Sequence, residues 1–80
     1  MAMSYSRRSG DYLYDIYVRE MRAQLSYFCA QVLNTVRLES GNPVTVHPYV
    51  PDAYAVTPDG AVEQLEATIK QWVQDQTPPS

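Results

Sequence analysis

From Gly10 to Gly41 the chain reads GDYLYDIYVREMRAQLSYFCAQVLNTVRLESG, an apolar-rich stretch without proline. On a wheel of 3.6 residues per turn, Tyr14, Val18, Met21, Leu25, Phe28 and Val32 follow spacings of four and three in alternation, the repeat of a helical core seam. Thr35 continues it, and Tyr17 and Val36 flank it. About 150° around the same wheel lies a second set, Ile16, Ala23, Tyr27, Ala30 and Asn34, bordered by Leu13 and Leu38. Ala23 and Ala30 are small enough for another helix to approach closely. Asp15, Arg19, Arg22, Ser26 and Arg37 form the wet strip between the two sets. The pattern predicts one helix over about 11–39, a rod of roughly 42 Å. Ser9 or Asp11 would cap its start, with Asp11 and Asp15 near its positive end. ESGNP would end it, because Gly41 or Asn42 takes the left-handed position and Pro43 cannot continue a helix.

TPDGAVEQLEATIKQWVQDQ predicts a second helix over about 58–75. Thr57 is a capping residue and Pro58 suits the first helical position. Val62, Leu65, Ile69 and Trp72 form one apolar stripe beside Ala61 and Val73, with Glu63, Glu66, Lys70 and Gln74 away from it. Between the helices, Pro43, Pro48 and Pro51 exclude helix from residues 42–57, and VTVHPYV can form a short edge strand or an extended segment. The expected fold is therefore all-α: two helices on a long proline-rich connector, a helical hairpin completed by homodimerisation. Residues 1–9 are expected as a flexible basic arm, 10–76 as one helical domain and 77–80 as a disordered tail.

Length sharpens the question of what covers the second seam. Eighty residues with one cysteine and one histidine hold no intrachain disulfide and no Cys/His zinc set. A chain this short buries a modest core. Leaving several Leu- or Phe-sized side chains in water, at about 1.5–3 kcal/mol each, is a large part of a small domain's stability. The second helix, about 25 Å long, covers one seam in part. The seam of Ile16, Ala23, Tyr27, Ala30 and Asn34 is then expected to meet a second copy or another protein, with Asn34 fixing register between chains.

The net charge of −3 is unevenly placed. Residues 1–40 hold five arginines against four acids, and residues 41–80 one lysine against five acids. A nucleic-acid binder normally shows a basic stripe. Arg7, Arg8, Arg19 and Arg22 would have to supply it here, so a DNA-binding regulator is only a minor alternative. MAMSYSRRSG lacks the apolar core of a secretory signal, and no run reaches the length of a membrane span. With a lone cysteine, the expectation is a cytoplasmic protein with no membrane partner.

Seven tyrosines against one phenylalanine are the most unusual feature of the composition. Tyrosine is enriched at binding hot spots, so Tyr5, Tyr12 and Tyr17, rimmed by Arg7 and Arg8, are candidate partner-binding residues. Glu63 and Glu66 are candidates for steering a basic partner. Pro48 and Pro51 have PxxP spacing without a nearby base and read as a rigid connector. His47 has no second group fixed beside it, and Cys29 reads as a small buried hydrophobe. No catalytic set, cofactor site, metal site or small-molecule substrate is expected. The expected function is a non-enzymatic protein-protein interaction module, dimeric and helical, that binds and inhibits or adapts a larger partner. In size and mild acidity the chain looks like the small proteins with which bacteriophages disable host machinery, anti-CRISPR proteins among them, a likeness that no motif carries. The alternative is a structural subunit of a larger assembly.

Overall fold

The computed structural model describes residues 2–22 and 25–76. In chain order it contains β1 (Ala2–Ser9), β2 (Tyr12–Arg22), β3 (Ser26–Glu39), β4 (Asn42–Thr45), β5 (Ala53–Ala55) and α1 (Pro58–Gln76). The strands form one antiparallel sheet in the order β1-β2-β3-β4, with β5 also pairing with β3. The fold is mostly antiparallel sheet with one C-terminal helix, and the all-α expectation is wrong. So is the helical hairpin. The stretch expected to be one helix over 11–39 is the β2–β3 hairpin, and residues expected as a basic arm form β1.

The physical reason lies in β2. Tyr12, Tyr14, Ile16 and Val18 are buried, while Leu13, Asp15 and Tyr17 between them are half-buried. That is the two-residue alternation of a strand, written in aromatic and β-branched residues that suit a pleated surface. The same alternation reaches across the sheet, where Tyr5 pairs with Ile16, Ile16 with Val32, and Val18 with Ala30.

Two short turns set the β1–β2 and β3–β4 hairpins. Ser9 pairs with Tyr12, so Gly10 and Asp11 alone close β1–β2, and Gly10 has φ 59°. Glycine with positive φ at the first central position is what a type II′ turn requires. Glu39 pairs with Asn42, and both central residues, Ser40 at 51° and Gly41 at 81°, have positive φ, as type I′ demands. The residues expected to cap and stop a helix are these turns.

The core lies between one face of the sheet and α1. It joins Tyr14, Ile16, Val18 and Ala30 to Ala61, Val62, Leu65 and Ile69, with Tyr5, Phe28, Val32, Val50 and Val73 packed around them. Tyr12 meets Trp72 edge to face, with ring centroids 5.2 Å apart, a favourable aromatic geometry. The helix starts as its sequence implies: the Gly60 N–H donates to Thr57 Oγ1 at 3.0 Å and the Ala61 N–H to the Thr57 carbonyl at 3.1 Å. Arg7 Nε donates to Glu66 Oε1 at 3.1 Å, tying β1 to α1.

Candidate functional site

The helix covers one face of the sheet. The other face carries the alternate residues of the same strands. On β2 these are Leu13, Asp15, Tyr17, Arg19 and Met21, and on β3 they include Tyr27, Cys29, Gln31 and Leu33. Tyr54 of β5 pairs with Cys29 and joins them. No other element of the described residues lies over this face. It mixes aromatic and aliphatic side chains with polar ones: Tyr27 and Tyr54 ring centroids are 6.0 Å apart, Leu33 and Tyr54 are exposed, and Tyr17 has Gln31 opposite it with Asp15 and Arg19 on either side. Towards the β1 edge it turns polar, through Ser4 and Ser6.

Two local devices shape it. The first is a bulge. Leu13 pairs with Val36 but Asp15 with Leu33, so Asn34 and Thr35 together oppose Tyr14. Asn34 takes φ 53°, a left-handed conformation that asparagine tolerates better than other side chains. Its Nδ2 donates to Asp15 Oδ2 at 3.1 Å, and Ser6 Oγ donates to Asp15 Oδ1 at 2.9 Å. The bulge puts Thr35 on the core side, 4% exposed, with no hydrogen-bond partner for its hydroxyl among the described residues. The second device is a small polar cluster. Gln31 Nε2 donates to Asp52 Oδ2 at 3.0 Å, and the Cys29 thiol points at the same oxygen at 3.9 Å. Cys29 is 1% exposed. Cys29 beside it raises the Tyr54 phenol above its ordinary value, and Asp52 and Tyr27 add to the effect.

The structure redistributes the two expected seams. Of the expected core seam, Tyr14 and Val18 are buried, and Phe28 and Val32 pack on the core. Met21 lies on the outer face, and Leu25, 80% exposed, lies before β3. On the helix, Val62, Leu65 and Ile69 are buried and Trp72 packs on Tyr12. The expected partner seam does not form a surface. Ile16 and Ala30 are fully buried in the core, Tyr27 is on the outer face, Asn34 is the bulge residue, and Ala23 lies outside the described residues. The expected 77–80 tail lies outside them too.

Of the partner-binding candidates, Tyr12 is buried and Tyr5 packs against the core. Arg7 and Glu66 bond to each other, and Arg7 also sits 5.1 Å from the Tyr5 ring centroid. Arg8 Nε donates to the Gly10 carbonyl at 2.8 Å and steadies the turn. Glu63 is exposed on the helix, on the opposite side of the molecule from the outer face. Tyr17 is the candidate that the outer face contains. Sequence reasoning missed Leu13, Leu33 and Tyr54 as companions of Tyr17, although alternation in YLYDIYV signals the first of these.

The connector leaves the β3 edge after the Val46 N–H bonds to the Thr35 carbonyl at 3.0 Å. Pro48, Tyr49, Val50 and Pro51 then line an open hollow, with Tyr49 98% exposed. His47 is exposed in this segment. Among the described residues no three His, Cys, Asp or Glu side chains are grouped to hold a metal ion, and no helix is long and apolar enough to cross a membrane. No protein-family model, curated protein or solved structure matches the chain.

Proposed function

We propose that this protein is a non-enzymatic protein-protein interaction module whose docking surface is the outer face of its sheet. The observation that supports this is the one-sided core. A single helix covers one face, and the tyrosines and aliphatic side chains of the other face meet no element of the described residues. Antiparallel sheets tolerate one wet face when that face is polar, but this one sets Tyr17, Tyr27, Leu33 and Tyr54 among its polar residues. Leu33 and Tyr54 are large and exposed on it, and exposed apolar side chains on an uncovered face mark interaction sites. Tyrosine suits such a site because it brings contact area at low entropic cost together with a hydroxyl. A lone cysteine fits a reducing compartment, so the cytoplasm is the proposed setting.

The test places a photo-reactive phenylalanine analogue at position 17 and, as a control, at position 63 on the helix. The purified chain is irradiated alone and in extract. Protein adducts formed from position 17 and not from position 63 are the expected result. Equal labelling from both positions, or none from position 17, would overturn the assignment of the face.

A further inference from the structure

We infer that the partner of this face is a second copy of the chain, packed sheet to sheet about a two-fold axis that passes over Tyr17. The inference rests on the docking reading just given and supplies its occupant.

The first observation is charge. Asp15, Tyr17 and Arg19 are successive outward residues of β2, and the two charges have opposite signs at equal distances from Tyr17. Neither makes an ion pair among the described residues. Asp15 is held in place by Ser6 and Asn34, bonds to neutral groups that leave its charge unmatched. A two-fold axis lying between the sheets, across the strands at Tyr17, maps Asp15 of one copy onto Arg19 of the other, and the reverse. Both pairs form at once, which is the self-complementarity an isologous interface requires.

The second observation is what the same rotation does to the apolar rows. It stacks β3 over its own copy and exchanges its two ends. Tyr27 then lies over Val36 of the second chain, an aromatic ring against a branched side chain, and Gln31 lies over its own copy on the axis. The polar Ser4 and Ser6 fall at the rim, beside the charge pairs.

The third observation is size. The 11 residues of β2 span about 37 Å at ~3.4 Å each, and four strands span about 19 Å at ~4.8 Å each. The face therefore projects roughly 700 Å², close to the ~800 Å² per partner of a standard interface. The chain itself is open in shape. Its radius of gyration is 13.7 Å, against about 11.6 Å for a compact domain of this length. Two sheets facing each other about 10 Å apart close a second core that one chain lacks.

The experiment is light scattering on a size-exclusion column over a wide concentration range, with circular dichroism confirming the fold of every variant. Wild type is expected at twice the chain mass. Arg19→Asp opposes two acids twice and Asp15→Arg opposes two arginines twice, so each alone is expected to elute at the chain mass. Mixed in equal amounts, the two variants regain both pairs and are expected to return to twice the chain mass. Arg19→Lys keeps the pair and should stay dimeric. If Asp15→Arg disturbs the bulge and fails to fold, Arg19→Asp against Arg19→Lys still decides the matter. A wild type that is monomeric throughout overturns the inference. So does a dimer indifferent to Arg19→Asp, which points to another surface such as the free edge of β1. A monomer whose position 17 still cross-links to other proteins rejects the second copy but keeps the docking face. A monomer without such adducts rejects both.

Discussion

Asn34 does set a register, though inside one sheet and not between two helices. Its left-handed backbone, φ 53°, inserts the extra residue that turns Thr35 inward and keeps Leu33 and Val36 on the outer face. The conformation costs most side chains about 1–2 kcal/mol, and glycine nothing steric. Asn34→Ala is therefore expected to lower unfolding free energy by about 1–2 kcal/mol, and Asn34→Gly by clearly less, as read from urea midpoints. Equal losses would mean that the Asn34–Asp15 hydrogen bond, not the backbone, is what matters. Tyr14, opposite the bulge, offers a second residue-scale test. Burial, and then the charge of Glu66, raise its phenol above the ordinary value, against a smaller opposing pull from Arg7. Between the ordinary value of about 10 and that higher one, the folded chain keeps a proton that the unfolded chain has lost. Stability from Tyr14 is thus complete below about pH 10 and lost as pH rises through the folded-state value. The urea-midpoint gap between wild type and Tyr14→Phe should narrow, or turn in favour of the variant, as pH climbs from about 9 to 11. A gap that stays constant over that range means the phenol is not desolvated as described.

At the scale of elements, the sequence announces α1 and conceals the hairpins. Thr57 and Pro58 are start signals with a direct mechanical meaning, and Gly60 confirms it by donating to Thr57 Oγ1. The hairpins were ambiguous because a spacing of four is even. Tyr14 and Val18, or Phe28 and Val32, share a face in a helix and in a strand alike. Only the steps of three separate the two. From Val18 to Met21, and from Leu25 to Phe28, a helix keeps the face and a strand changes it. The structure changes it at the first of these: Met21 goes to the outer face. At the second, Leu25 lies ahead of β3 and is 80% exposed. Residue type and turn chemistry carried the deciding information: Tyr, Ile and Val alternating in YLYDIYV, with SG at two of the chain reversals, once before Asp11 and once before Asn42. Asn34 hid the register further. A bulge shifts the alternation by one residue, so β3 read alone shows no clean period. The outer face was legible only in part for the same reason. Tyr17 stood out by type, but its neighbours across the sheet come from β3 and β5, and no local pattern links residues 17, 33 and 54.

At the scale of the molecule, one buried layer has to hold five strands and a helix together. A domain of 80 residues is stable by about 4–12 kcal/mol at 0.05–0.15 kcal/mol per residue. Leu65 is fully buried where α1 meets the sheet, and truncating such a leucine to alanine costs about 2–5 kcal/mol. That is a large fraction of the total, and it falls on the chain whether or not a second copy is present. Leu33 has the same chemistry and the opposite situation: it is 44% exposed on the outer face, and on the dimer reading that remaining exposure is what a second copy removes. Association adds stability that grows with concentration. The two leucines should therefore respond differently to dilution. In urea titrations at two chain concentrations a hundredfold apart, wild type is expected to show a higher midpoint at the higher one. Leu65→Ala should lower both midpoints and leave their difference. Leu33→Ala should lower chiefly the midpoint at high concentration, bringing the two together. If Leu33→Ala instead destabilises both concentrations as much as Leu65→Ala does, the outer face is already covered within one chain, and the one-sided core is the wrong description of how this sequence stays folded.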